Sequence, residues 1–130
     1  MAESVSDYDE IVGVIQLYVD GTRRGDSGPL KEAFHPEARM FGALAGTRYD
    51  VPITDLFELV DSGAADIEGS YKARVVSVEQ VGDAAAATLV EEGTWGAVSF
   101  VDFFTLARID GTWKIVNKTF AHTGGNPPSH

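Results

Sequence analysis

The chain has 130 residues, 44% of them hydrophobic and 23% charged, which suits one good core and no second domain. Twenty acidic residues against ten basic ones give a formal charge of -10, and Arg23-Arg24 is the sole adjacent basic pair. Such a field repels phosphate backbones and anionic lipid, so neither nucleic acid nor a membrane is an expected partner. Cysteine is absent, which removes disulfides, thiolate nucleophiles and thiolate-held zinc. Met1-Ala2-Glu3-Ser4 lacks the basic and apolar regions of a secretory signal, and no apolar run reaches membrane-spanning length. A cytoplasmic protein is expected.

Tyr8, Ile11, Val12, Ile15, Tyr18 and Val19 recur at intervals of three and four residues, the mark of one buried helix face. Ser6 and Asp9 form a capping box at its start, and Arg23 and Arg24 precede the terminating Gly25. Ser27-Gly28-Pro29 opens a short second helix that turns Leu30, Ala33 and Phe34 inward until His35-Pro36 ends it. Arg39 to Leu44 and Thr47 to Val51 read as strands around an Ala45-Gly46 turn. Thr54 then caps a third helix through Leu56, Phe57, Leu59 and Val60, closed by Gly63.

Beyond this point helical periodicity disappears. Tyr71 to Val81, Ala84 to Trp95, Ala97 to Ile109 and Trp113 to Ala121 are runs rich in Val, Thr and aromatics. Gly82-Asp83 and Asp110-Gly111 are turn dipeptides, and Gly93 to Gly96 supplies a looser reversal. The pattern predicts an α+β domain over 1–122, with about three N-terminal helices on a mostly antiparallel sheet of about six strands, and a flexible tail over 123–130. In the run from Ala97, Val101, Phe103 and Ala107 alternate with Phe100, Phe104 and Leu106. That strand is apolar on both sides, which predicts a homodimer through the outer sheet face.

Three segments carry a resemblance: Leu30-Lys31-Glu32-Ala33-Phe34-His35-Pro36-Glu37-Ala38, Asp102-Phe103-Phe104-Thr105-Leu106 and Asp110 to Lys118. From about Tyr8 to His122 the chain resembles the NTF2-like superfamily and, within it, the Putative lumazine-binding group and the SnoaL-like, polyketide-cyclase-like proteins. The resemblance implies a cone of helices on a strongly curved sheet, enclosing a small-molecule pocket. Relatives include isomerases, cyclases and dehydratases alongside proteins that only bind, so fold alone does not choose among them.

Asp102 is the leading candidate for chemistry, because a carboxylate among Phe100, Val101, Phe103 and Phe104 is in a desolvated setting suited to acid/base work. Its structural alternative is pairing with Arg74, Arg108 or Lys118. Tyr18 sits in a setting similar to the oxyanion-stabilising tyrosine of ketosteroid isomerases, and alternatively packs in the core. The isomerase aspartate, however, would fall near Gly42, where Met40-Phe41-Gly42-Ala43 has no carboxylate. His35 and His122 carry imidazoles suited to proton transfer near neutrality, with capping of a helix end the alternative for His35.

Phe41, Trp95, Phe104 and Trp113 are candidate walls for an apolar or planar ligand, or plain core. Asn117 is expected to orient a ligand or to pair with Asp102. No metal or other cofactor is expected, since no His-x-x-x-His spacing or phosphate-cradling loop occurs. Together these residues point to acid/base chemistry of isomerase, cyclase or dehydratase type on a small, largely apolar carbonyl or polycyclic compound. A non-catalytic ligand-binding or accessory dimeric module is the alternative.

Overall fold

The computed structural model describes residues 5–128 as three helices packed on one six-stranded sheet. The first helix, α1 (Val5–Arg24), buries Ile11, Ile15, Tyr18 and Val19 and leaves Tyr8 half exposed. It is already helical at Val5, so Ser6 lies inside its first turn rather than at a cap. Helix α2 (Gly28–Ala33) is a single short stretch. It stops before His35 because Phe34 has already turned extended and carries its ring into the core against Tyr18, Phe57 and Phe104. Ser27 does not cap α2 through its side chain. Its N–H and Oγ instead donate to Asp61 at 2.8 Å each, which latches α2 to the end of α3 (Ile53–Asp61). Both bonds favour the ionised acid and hold the Asp61 carboxyl below its usual range. Pro52, not Thr54, occupies the N-cap of α3.

Strands β1 (Phe34–Leu44) and β2 (Thr47–Pro52) form a hairpin whose turn residues, Ala45 and Gly46, have φ of 50° and 84°. Two positive φ angles match the right-handed twist of the flanking strands. Strands β3 (Lys72–Val81), β4 (Ala84–Thr94), β5 (Val98–Ile109) and β6 (Thr112–Gly124) make the meander, with β6 running two residues past 122. The sheet order is β2-β1-β6-β5-β4-β3, and every pairing is antiparallel except β1 with β6.

The helices lie on one face of this sheet. There β4 contributes Ala85, Ala87, Leu89 and Glu91, and β5 contributes Val98, Phe100, Asp102, Phe104 and Leu106. Strand β6 changes parity midway: Leu106 pairs with Ile115 but Thr105 pairs with Asn117, so Val116 is an extra residue in the ladder. Such a bulge reverses which side chains face inward. Ile115 and Lys118 are buried, whereas Asn117 looks to the other face beside Thr105. At the far edge Arg108 reaches Asp7 at 2.9 Å and Asp83 at 2.8 Å while lying over the Trp113 ring, which ties the start of α1 to the sheet. Among the described residues no helix is long and apolar enough to cross a membrane.

Candidate active site

Between α1, α3 and the concave side of the sheet lies a pocket walled mainly by apolar groups. Met40, Leu44, Leu56, Val60, Phe100 and Phe120 supply the greasy surface, and Leu59, Tyr49 and Trp95 stand nearer solvent. The free space in which the centre of a water molecule can move is about 50 Å³. By the same measure one water needs about 10–15 Å³, so the pocket suits a compound of a few heavy atoms. Trp95 adopts φ 55°, unusual for a bulky side chain. Its N–H donates to Ala65 O at 2.8 Å and its ring meets Phe100 edge-on at 6.0 Å.

Polar groups converge at the floor. Glu91 and Asp102 are 2% and 0% exposed, on neighbouring strands and the same sheet face. Glu91 faces the pocket; Asp102 stands one layer behind it and is not part of the lining. No N–H or O–H among the described residues donates to either Asp102 oxygen, yet the Glu91 carboxyl lies within hydrogen-bonding reach. The two acids can share that contact only if one holds a proton. Burial, then the Asp102 charge and this contact, raise Glu91 well above the usual carboxyl range against the opposing pull of Lys118. Burial and the neighbouring carboxyl thus disfavour the ionised form of Glu91.

Two phenols flank these acids, Tyr18 in the pocket lining and Tyr71 outside it. The Tyr71 hydroxyl donates to Glu91 Oε2, while Arg23 lies over the Tyr71 ring at 5.0 Å and donates to Tyr71 O at 2.9 Å. Burial first, and then the carboxyl charges, push the ionisation of both Tyr71 and Tyr18 upward, so both remain donors. Lys118, 6% exposed, projects from β6 with its ammonium 5.1 Å from the Tyr18 ring centre and 5.2 Å from that of Phe120. Two buried hydroxyls also line the pocket. Thr94 Oγ1 has no hydrogen-bond partner among the described residues, and Thr22 Oγ1 lies beside the Tyr18 phenol but outside hydrogen-bond geometry.

The structure brings Tyr18 and Trp95 to this pocket, with Asp102 behind its floor, and places the other sequence candidates elsewhere. Phe41 pairs with Thr119 and Asp50 on the outer face of the sheet, because strand alternation gives the inward positions to Met40 and Gly42. Asn117 is turned outward by the β6 bulge and accepts from Thr119 Oγ1 at 2.8 Å, so it does not reach Asp102. Phe104 and Trp113 are core residues, 1% and 2% exposed. His35 caps no helix carbonyl, since α2 has already ended; its Nδ1 accepts from Glu37 N–H at 3.1 Å. His122 Nδ1 accepts from Ala45 N–H at 3.2 Å, and its ring packs on Phe100 outside the lining. Arg74 and Arg108 do not pair with Asp102: Arg74 faces outward beside Val90, and Arg108 holds Asp7 and Asp83.

Glu91 and Tyr71 are site residues that the sequence did not single out, and Lys118 entered only as a structural partner for Asp102. Glu91 had a signal, the period-two row Ala85, Ala87, Leu89, Glu91. Among the described residues no three His, Asp or Glu side chains converge as a metal site requires.

Residues 6–121 match the model of the family described as Putative lumazine-binding. The chain belongs to this family. Solved structures agree. An NTF2-like protein from Shewanella baltica OS155 is 30% identical and superimposes with a TM-score of 0.85 over 99% of this chain and 100% of its own. Another, from Methylobacillus flagellatus KT, is 32% identical with a TM-score of 0.85, over 93% and 95% of the two chains. A relative called Aldolase FrzH, from Cladobotryum sp, is 29% identical over 116 residues, covering 88% of this chain and 90% of that protein. This Putative lumazine-binding family member therefore shares the NTF2-like α+β fold along nearly its whole length.

Proposed function

We propose that the protein is an acid/base enzyme acting on a small, largely apolar carbonyl compound, with the Glu91–Asp102 pair as its proton-transfer device. The observation that carries this reading is a buried carboxyl, Glu91, lining an apolar pocket, close to the Asp102 carboxyl and accepting from the Tyr71 phenol. A pair sharing one proton can work in both directions. With the proton on Glu91 the group facing substrate is an acid; with the proton passed to Asp102 it is a base.

Asp102 is then a positioning residue that sets the protonation of Glu91, and Tyr18 supplies a phenolic donor to the substrate oxygen. Removal of a proton next to a carbonyl is common to the isomerase, cyclase and dehydratase types and to the aldol reaction named for the Cladobotryum relative. The limited free volume favours a small carbonyl compound over a polycyclic one. The exposed row along β5 supports a homodimer through the outer sheet face.

The test is exchange of α-hydrogen for deuterium in a panel of small ketones, followed by NMR. Wild-type protein should catalyse exchange with one or more members of the panel, and Glu91→Gln should lower it by about 10²–10⁴-fold. Asp102→Asn should lower the rate and displace its pH profile. A second reading, binding without turnover, draws on the unpartnered Thr94 hydroxyl in an apolar wall. It predicts saturable binding of panel members with no exchange in the wild type.

A further inference from the structure

Lys118 is a costly residue for which the acid/base reading gives no use. A buried ammonium usually sits against a carboxylate, because leaving it unpaired in a low dielectric costs several kcal/mol. Yet among the described residues no carboxylate oxygen lies within 4.0 Å of Lys118 Nζ. Its ammonium donates to the weak acceptor Met40 Sδ at 3.9 Å, and two aromatic faces hold it from the sides. The fold goes out of its way to put it there, since the Val116 bulge turns Lys118 inward and Asn117 outward. Lys118 is also the one lysine in the lining: Lys31 and Lys72 are exposed, and Lys114 donates to Glu32 O at 2.6 Å on the surface. A flexible amine in an apolar pocket, beside groups that can take and return protons, is the arrangement that carbonyl chemistry by a lysine nucleophile requires.

We infer that Lys118 is an amine nucleophile that forms an imine with the carbonyl substrate, which would make this an aldol- or retro-aldol-type site working through a lysine-bound enamine. The inference rests on the acid/base reading for its proton traffic. Lys118 passes a proton, by way of solvent in the pocket, to the carboxyl pair, which holds one proton and takes a second. The neutral nitrogen adds to the carbonyl carbon, and a nitrogen proton moves to the former carbonyl oxygen to give the carbinolamine. The pair returns a proton to that hydroxyl, the carbon–oxygen bond breaks, and water leaves a positively charged iminium opposite a negatively charged pair. That pair then takes the α-proton, giving a neutral enamine and a neutral pair. Every proton is accounted for within Lys118, Glu91, Asp102 and the substrate.

Imine formation can be read without turnover. Wild-type protein is incubated with acetaldehyde and sodium cyanoborohydride, which reduces an imine to a stable secondary amine, and the adducts are mapped by peptide mass spectrometry. The expected result is faster modification of buried Lys118 than of exposed Lys31 and Lys72. Labelling confined to exposed amines would overturn the inference. In parallel, Lys118→Arg keeps the charge but loses the nucleophile, so it should lose both the adduct and ketone α-exchange while retaining the wild-type melting temperature. Full exchange in Lys118→Arg would overturn the amine role and leave the acid/base pair standing. A Lys118 adduct without exchange in the wild type would support the amine and remove the acid/base reading instead.

Discussion

Glu91 concentrates the electrostatic cost of this fold on one side chain. It is buried beside Asp102, receives the Tyr71 hydroxyl, and shares its surroundings with Tyr18 and Lys118. Its folded-state acidity is displaced upward, so the folded protein binds a proton that the unfolded chain releases near the ordinary carboxyl value. The stabilisation from that proton is fully present below the unfolded pKa and is lost as pH rises toward the folded one. Urea unfolding at pH values above the ordinary carboxyl pKa should show this group contributing a fall of about 1.4 kcal/mol per pH unit until the folded proton is released. Glu91→Gln, which keeps an acceptor for Tyr71 and gains donors toward Asp102, should remove that component. An unchanged slope in the variant would mean that Glu91 is ionised in the folded protein. Asp61 acts with the opposite sign. Its carboxyl is held low by Ser27, so its contribution is present above the unfolded pKa and fades only in acid below it.

Among the elements, the parallel contact between β1 and β6 decides the pocket's shape, and Gly42 is its tightest point. A Cβ there would lie 2.6 Å from the Phe120 ring and 2.6 Å from Phe120 O. A side chain at Gly42 would need the volume that Phe120 fills. Gly42→Ala should destabilise the protein by about 1–3 kcal/mol through overpacking and, by moving Phe120, weaken ligand binding more than distant mutations of equal cost. Gly13→Ala is the natural contrast. That position is exposed within α1 and a Cβ there meets nothing within 4 Å, so the helix should gain about 0.4–1 kcal/mol. Thermal melts of the two variants should move in opposite directions.

The same strands show why the site was only partly legible. Asp102 stood out because it is a lone acid among phenylalanines. Glu91 adjoins Glu92, and two adjacent acids give no sign of which is buried until the alternation of β4 separates them. Lys118 and Asn117 exchanged faces because one extra residue in β6, Val116, reverses the parity that Ile115 sets. A single-residue bulge leaves no mark in composition or periodicity. The elements themselves were legible because their evidence is redundant: six apolar positions in α1, and dipeptide turns at Gly82-Asp83 and Asp110-Gly111.

For the molecule as a whole, the unresolved force is the outer sheet face. Phe103 is 53% exposed in the middle of β5, with Val101 on the same strand and Phe41, Thr88 and Thr119 in the same row of the sheet. A second copy of this face is the economical cover, because apolar strands meeting across a two-fold axis remove each other's surface from water. Charge works against it. Each chain carries -10, so two copies repel at long range, whereas the apolar contact does not depend on salt in the same way. Added salt screens the repulsion within a Debye length of about 10 Å at 0.1 M, so association should strengthen with ionic strength rather than weaken. Light scattering should therefore find a dimer whose dissociation constant falls on raising salt from about 0.01 M to about 0.1 M. Phe103→Lys, which places an ammonium at the centre of each apolar face, should yield a folded monomer at both salt levels. A wild-type monomer at all salt concentrations would refute the dimer, and a dimer that dissolves in salt would require an interface built on ion pairs at a different surface.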